Sequence, residues 1–205
     1  MNRLTTFIGC IVVLTAALLF GSRTPTPAAA TAATVVCGTI SAITAWTVIS
    51  SPYQVCFGGV TVGPTATLTI QPGVTVQFQQ GVNAKLYVQD GLSAIGTVTQ
   101  PITFTGVVTT PGSWGGLSAD NTIITPALIN LSYVTLEDGG GGSSKGQLIV
   151  DRAVVTMTHS LVRNGGSNGL HFTASALGFN VQTTSFISNT LNAIQIDYPV
   201  SDLLR

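Results

Sequence analysis

The feature that most narrows what this chain can fold into is an alternation of apolar and polar side chains, broken every few residues by Gly, Pro, Asn or Asp. In "LTIQPGVTVQFQQG", residues 68–81, one alternating run stops at Pro72-Gly73 and the next stops at Gly81. A period of two is that of a half-buried strand, and Gly and Pro are the residues that end one. "ATLTI", "KLYVQ", "PITFTG", "INLSYVTLE", "QLIV", "AVVTMTH" and "GLHF" continue the pattern without a helical period. A single Glu, Glu137, and two Lys, Lys85 and Lys145, leave little to cover exposed helix faces. The expected fold class is all-β.

The runs also echo one another. "LYVQDG" begins at Leu86, 18 positions after Leu68, and "LSYVTLEDGG" from Leu131 is echoed by "MTHSLVRNGG" from Met157. "TSFISN" then places Ser185 and Asn189 25 positions after Ser160 and Asn164. Periods of 18 to 26 residues, each holding short strands and polar turns, mark a solenoid, because one coil cannot bury its own apolar face and must stack on its neighbours. The echoes predict Leu68 near Leu86, Ile70 near Val88, and Met157, Val162 and Leu170 near Ile187 and Ile194. An antiparallel sandwich also has short strands, but it does not require "SLVRN" and "SFISN" to recur in register.

Four stretches carry a family resemblance: "WTVISSPYQVCFGGVTVGPTATLTIQPGVTVQF", "PITFTG" followed by "PGSWGGL", "LSYVTLEDGG", and "GQLIVDRAVVTMTHSLVRNGGSNGLHF". In this order they resemble successive coils of exported bacterial right-handed parallel β-helix proteins of the pectin-lyase-like superfamily, from about Trp46 to Ile196. The resemblance implies a right-handed parallel β-helix. It does not imply one activity, since that fold carries lyases, hydrolases, adhesins and autotransporter passengers. The expected organisation is a signal peptide over 1–33, an N-terminal cap over 34–63, coils over 64–197, and a tail over 198–205 that either folds over the last coil or marks the chain as a truncated piece of a longer surface protein, the reading favoured here. Strand alternation turns Ile70, Phe78, Phe104, Leu131, Met157, Phe172, Ile187 and Ile196 inward. Thr69, Thr103, His159, Arg163 and His171 turn outward, and Trp114 reads as a packed corner.

The N-terminus has Arg3, an apolar stretch from Leu4 to Phe20 and the small-residue tail "TPTPAAATAA", the pattern of a secretory signal. Left uncleaved, the same stretch would be a membrane anchor. Removing it takes away Cys10 and leaves Cys37 and Cys56, an even pair in an exported chain, expected as a disulfide with two buried thiols as the alternative. Removal also leaves five basic against seven acidic residues, a net charge of about −2. A nucleic-acid partner, which asks for a basic stripe, is not expected.

Polysaccharide-cleaving β-helices concentrate charge in one groove: a base and a cation for elimination, two or three carboxylates for hydrolysis. Here Asp90, Asp120, Glu137, Asp138, Asp151, Asp197 and Asp202 are scattered. The best remaining cluster is Asp151-Arg152, His159, Arg163 and His171, in which His159 or Arg163 could act as base and Asp151 as an orienting or metal-binding carboxylate. The competing reading is a set of outward polar residues facing water. The two His are 12 apart with no Cys beside them, so neither a metal nor a cofactor is expected. "GGGGSSKG", residues 139–146, lacks the ending of a phosphate loop and reads as a flexible turn. Outward Thr67, Thr69, Thr75, Thr103 and Thr105 could form a ladder on one face, but strict Thr-x-Thr register is missing. The expected protein is a secreted or cell-surface module with a structural, adhesive or glycan-binding role, and polysaccharide or cell-surface components are its expected partners. The rival is a polysaccharide lyase or glycoside hydrolase acting on an outer face.

Overall fold

The computed structural model describes residues 32–120, 125–143 and 145–197. The expected signal segment up to residue 31 and the tail 198–205 lie outside them. The described chain is strands, β1 to β18 in chain order, with one short 3-10 turn at Val48–Ser50. A six-stranded sheet holds β2 (Thr44–Trp46), β4 (Thr67–Ile70), β7 (Gly91–Ile95), β10 (Ala127–Ser132), β13 (Ala153–Thr158) and β16 (Gly178–Gln182), in that order. A first ladder runs from β3 (Tyr53–Val62) through β5 (Thr75–Phe78), β8 (Ile102–Gly106), β11 (Val134–Glu137) and β14 (Leu161–Arg163) to β17 (Ser185–Ile187). A second also starts at β3 and continues through β6 (Gly81–Val88), β9 (Trp114–Asp120), β12 (Gly146–Asp151) and β15 (Asn168–Phe172) to β18 (Ile194–Ile196). Because β3 belongs to both ladders, and β1 (Thr34–Ile40) pairs along it, the two form one 12-stranded sheet. Every pairing is parallel. The chain is thus all-β, with parallel strands in curled sheets, an arrangement compatible with a parallel β-helix.

The register corrects the stacking expected from the 18-residue echo. Leu68 pairs with Leu92, not Leu86, and Ile70 with Ala94, not Val88. Leu86 lies against Val60 in another ladder. The echo joins two faces of one coil, whereas neighbouring coils are 24 residues apart in the last turn, as in Val162↔Phe186 and Leu170↔Ile194. Met157 accordingly pairs with Val181. β2 and β3, inside the expected cap, already pair with β4, β5 and β6. Cys37 of β1 is bonded to Cys56 of β3, with 5.5 Å between their Cα atoms.

The interior is one apolar stack reaching from Trp46 to Phe172, fed by every second residue of each strand. Ile70, Phe78, Phe104, Leu131, Met157 and Phe172 are essentially inaccessible, as expected. Trp114 is fully buried, stacks on Phe78 at 3.8 Å between ring centroids, and donates its indole N–H to the Glu137 carbonyl at 2.9 Å.

Two expected core residues are not in it. Ile187 is 52% exposed because its register partner is the outward Arg163. Ile196 is 37% exposed; it follows the inward Phe172 in register, but among the described residues no further coil covers it. Thr105, expected outward, is buried and donates to Asp138 at 3.0 Å. The glycine run is also not a loose turn: Gly139, Gly140 and Gly141 are buried. Gly141 N–H bonds the Trp114 carbonyl and Gly166 N–H the Gly139 carbonyl, both at 2.9 Å. A Cβ on Gly141 would run into the Gly112 carbonyl oxygen, so three coils meet there through backbone alone.

Between the strands, corners repeat in the left-handed region. Tyr133, His159 and Thr183 form one such row, Asp138, Asn164 and Ser188 another, all with φ between 49° and 64°. Side-chain amides hold these corners together. Asn189 accepts from Gly165 N–H at 3.1 Å and donates to the Val162 carbonyl at 3.1 Å, and Gln147 donates to Asn189 at 2.8 Å.

Candidate functional site

Two outer faces carry polar side chains in register. On the second ladder, Tyr87, Ser118, Ile149, His171 and Gln195 form one row, because each pairs with the next strand's residue. One step along the strands Asp120 pairs with Asp151, and Thr173 and Asp197 follow β15 and β18. Paired residues of adjacent strands lie about 4.8 Å apart, so these groups can touch. Arg152, at the corner after β12, donates to Asp120 at 2.5 Å and lies 3.8 Å from Asp151. Tyr87 donates its hydroxyl to the other Asp120 oxygen at 3.2 Å, and Thr173 donates to Asp151 at 2.9 Å. Burial and the neighbouring Asp120 charge push the Tyr87 phenol above its usual range. The hydrogen bond to Asp120 and that carboxylate's charge hold Arg152 more firmly protonated.

The expected cluster does not converge. Asp151 and His171 share the second ladder, and Arg152 joins Asp151 there. Arg163 is on the first ladder and donates its Nε–H to Glu137 at 2.6 Å. His159, expected on a strand face, sits at a left-handed corner with its ring stacked on Tyr133 at 4.8 Å. His171 points outward by parity but is 3% exposed, correcting the expected solvent-facing position. Gly146 passes so close that a Cβ there would come within 3.0 Å of the His171 Cβ, and the ring Nε2 lies 2.7 Å from Asp197. Its Nδ1 is buried without a partner. Asp197 also accepts from Gln195 at 3.1 Å; that bond first, then His171, lowers its carboxyl below the usual range. Among the described residues no group of three or more His, Cys, Asp or Glu is placed to hold a metal ion.

Asp120, Asp197 and Tyr87 were not singled out as site residues from the sequence. The signal that could have found Asp120 is its 31-residue spacing to Asp151, but the 24- and 26-residue turns elsewhere hide it.

The six-stranded sheet differs. Its outward row is Thr69, Ser93, Asn130, Thr156 and Asn180, one small polar side chain per coil and none of them charged. The expected threonine ladder is divided: Thr67 and Thr69 lie here, while Thr75 and Thr103 pair with each other on the first ladder. A scan against protein-family models, a search of curated proteins and a search of solved structures gave no match to this chain.

Proposed function

We propose that the chain is an exported, right-handed parallel β-helix module of the pectin-lyase-like kind that binds glycan at or outside a cell surface and performs no catalysis of its own. The observation that carries this reading is the row Thr69–Ser93–Asn130–Thr156–Asn180. It offers hydroxyl and amide groups at a strand spacing of about 4.8 Å along one outer face. A polyhydroxylated chain presents repeated donors and acceptors that such a row can meet. Two arginines of the other faces are paired with carboxylates, Arg152 with Asp120 and Arg163 with Glu137. The right hand rests on the strong preference of parallel crossovers for that hand. Export is supported by the Cys37–Cys56 bridge, which belongs to oxidising compartments. Among the described residues no helix is long and apolar enough to cross a membrane.

The test is a screen of the purified secreted chain against plant and bacterial polysaccharides, with and without Ca²⁺, following binding, unsaturated products and reducing ends together. Binding without products is expected. A second reading, a carbohydrate-active enzyme, is favoured by one observation: Asp120 and Asp151 stand side by side on an outer face with Tyr87 and Arg152. Products that appear with the native chain and vanish in Asp120→Asn and Asp151→Asn would replace the binding reading with this one.

A further inference from the structure

On the six-stranded sheet a second outward row reads Thr67, Gly91, Leu128 in adjacent strands. Gly91 has no side chain, so the row has a gap between Thr67 and Leu128, which lie two strand spacings apart, roughly 10 Å. The Thr67 hydroxyl leans over the gap: a Cβ on Gly91 would come within 2.6 Å of it. Leu128, 59% exposed, forms the opposite wall. Asp90 stands at the rim, its backbone carbonyl accepting the Leu128 N–H at 2.7 Å, and Ser93 and Asn130 continue the groove along the neighbouring row. The side chains of Thr67, Asp90, Ser93 and Asn130 have no hydrogen-bond partner among the described residues, in contrast to the paired charges of the second ladder.

Resting on the glycan-binding reading, we infer that this groove seats one neutral pyranose unit bearing vicinal hydroxyls. The composition fits each part of such a ring. Leu128 offers an apolar wall to the C–H face, Asp90 offers two carboxylate oxygens to neighbouring hydroxyls, and Thr67, Ser93 and Asn130 supply groups that both donate and accept. A carboxylate at the rim, with no Lys or Arg lining the groove among the described residues, opposes a uronate, which would bring like charge against Asp90. The rest of the saccharide chain then runs across the strands, over Thr156 and Asn180, at right angles to the backbone.

The experiment titrates the full secreted chain with hexamers of β-linked glucose, xylose and mannose and with oligogalacturonate, read by calorimetry. Folding of each variant is checked by circular dichroism. Asp90→Asn and Asn130→Ala, both surface changes, should each weaken binding of a neutral hexamer about tenfold, the effect of one lost hydrogen bond to a charged or well-placed partner. Thr103→Ala, on the outer face of the first ladder, should leave it unchanged. Neutral binding that survives both groove changes would overturn the groove while leaving glycan binding in place. Binding of oligogalacturonate alone would overturn the ligand class. Silence towards every glycan from a folded chain would remove both the groove and the glycan-binding reading.

Discussion

The inner coils and the last described coil share the same alternation of apolar and polar residues along their strands, yet they differ in what holds them. In β13 every second side chain, Ala153, Val155 and Met157, is fully buried. In β16, in register with β13, Val181 is only partly buried and Phe179 is 42% exposed. Hydrophobicity does not account for the difference; position in the stack does. An inner coil has a neighbour on each side, and β16, β17 and β18 have one among the described residues. The last coil is fastened instead by polar contacts back to the preceding turn. These include Asn189 to Val162 and Gly165, Thr190 to Gly165, and Asp197 to His171, with the Phe172–Phe179 stack at 4.3 Å added. The last described coil therefore depends more on side-chain hydrogen bonds and less on burial than the inner coils do.

The largest effect that tests this contrast is on Trp114. It fills the interior between Phe78 and the glycine crossing, so Trp114→Ala should cost about 3–5 kcal/mol. Phe179→Ala, in the last coil, should cost well under half as much because much of that ring already faces water. Equal losses in urea unfolding of the two variants would break the comparison. Next in size is the opposite end, where Cys37→Ser or Cys56→Ser should lower stability by about 2–4 kcal/mol by freeing a loop with 19 residues of sequence separation. If β1 were held mainly by its pairing to β3, reduction of the bridge would leave the unfolding midpoint in place.

Period-two alternation is local, and for that reason the inward set from Ile70 to Phe172 was legible in the sequence. Register is not local. The 25-residue echo of "SLVRN" in "SFISN" sets Ile187 beside Val162, but the strands pair at 24, and Phe186 takes the inward place. A slip of one residue turns every side chain of a strand to the other face. The site was less legible than the fold for the same reason. Asp151, Arg152 and His171 were singled out, but their partners Asp120 and Asp197 come from other coils across turns of unequal length. The glycine run reads as a flexible turn until Gly112 and Gly166 are seen to occupy the space that side chains would need. The groove at Gly91 likewise exists only once Thr67 and Leu128 have been brought to either side of it.

The smallest effect, and the one with the sharpest sign, compares a carboxylate from each region. Asp138 of an inner coil is 3% exposed, and burial raises its carboxyl above the usual range although Thr105 donates to it. Asp197 of the last coil is lowered by Gln195 and His171. For Asp138 the folded chain holds its proton more tightly than the unfolded chain. Its contribution is therefore complete below the unfolded value of about 3.9 and declines as pH rises through the folded one. For Asp197 the order reverses: stability is present above about 3.9 and is lost as pH falls through the lowered value. Acidification below about pH 4 should thus loosen the last coil before the interior, seen as faster hydrogen exchange at the Asp197 N–H, which bonds the Phe172 carbonyl at 2.8 Å. Asp197→Asn should remove that pH dependence and show at neutral pH the exchange rate that the native chain reaches only on acidification, a modest acceleration because the group is substantially exposed and its pairing is screened. Asp138→Asn should instead stabilise the chain slightly at neutral pH, since Asn can still accept from Thr105 and tolerates the left-handed backbone there without a charge to bury. Exchange that accelerates first at β11 on acidification would reverse the assignment of the two regions.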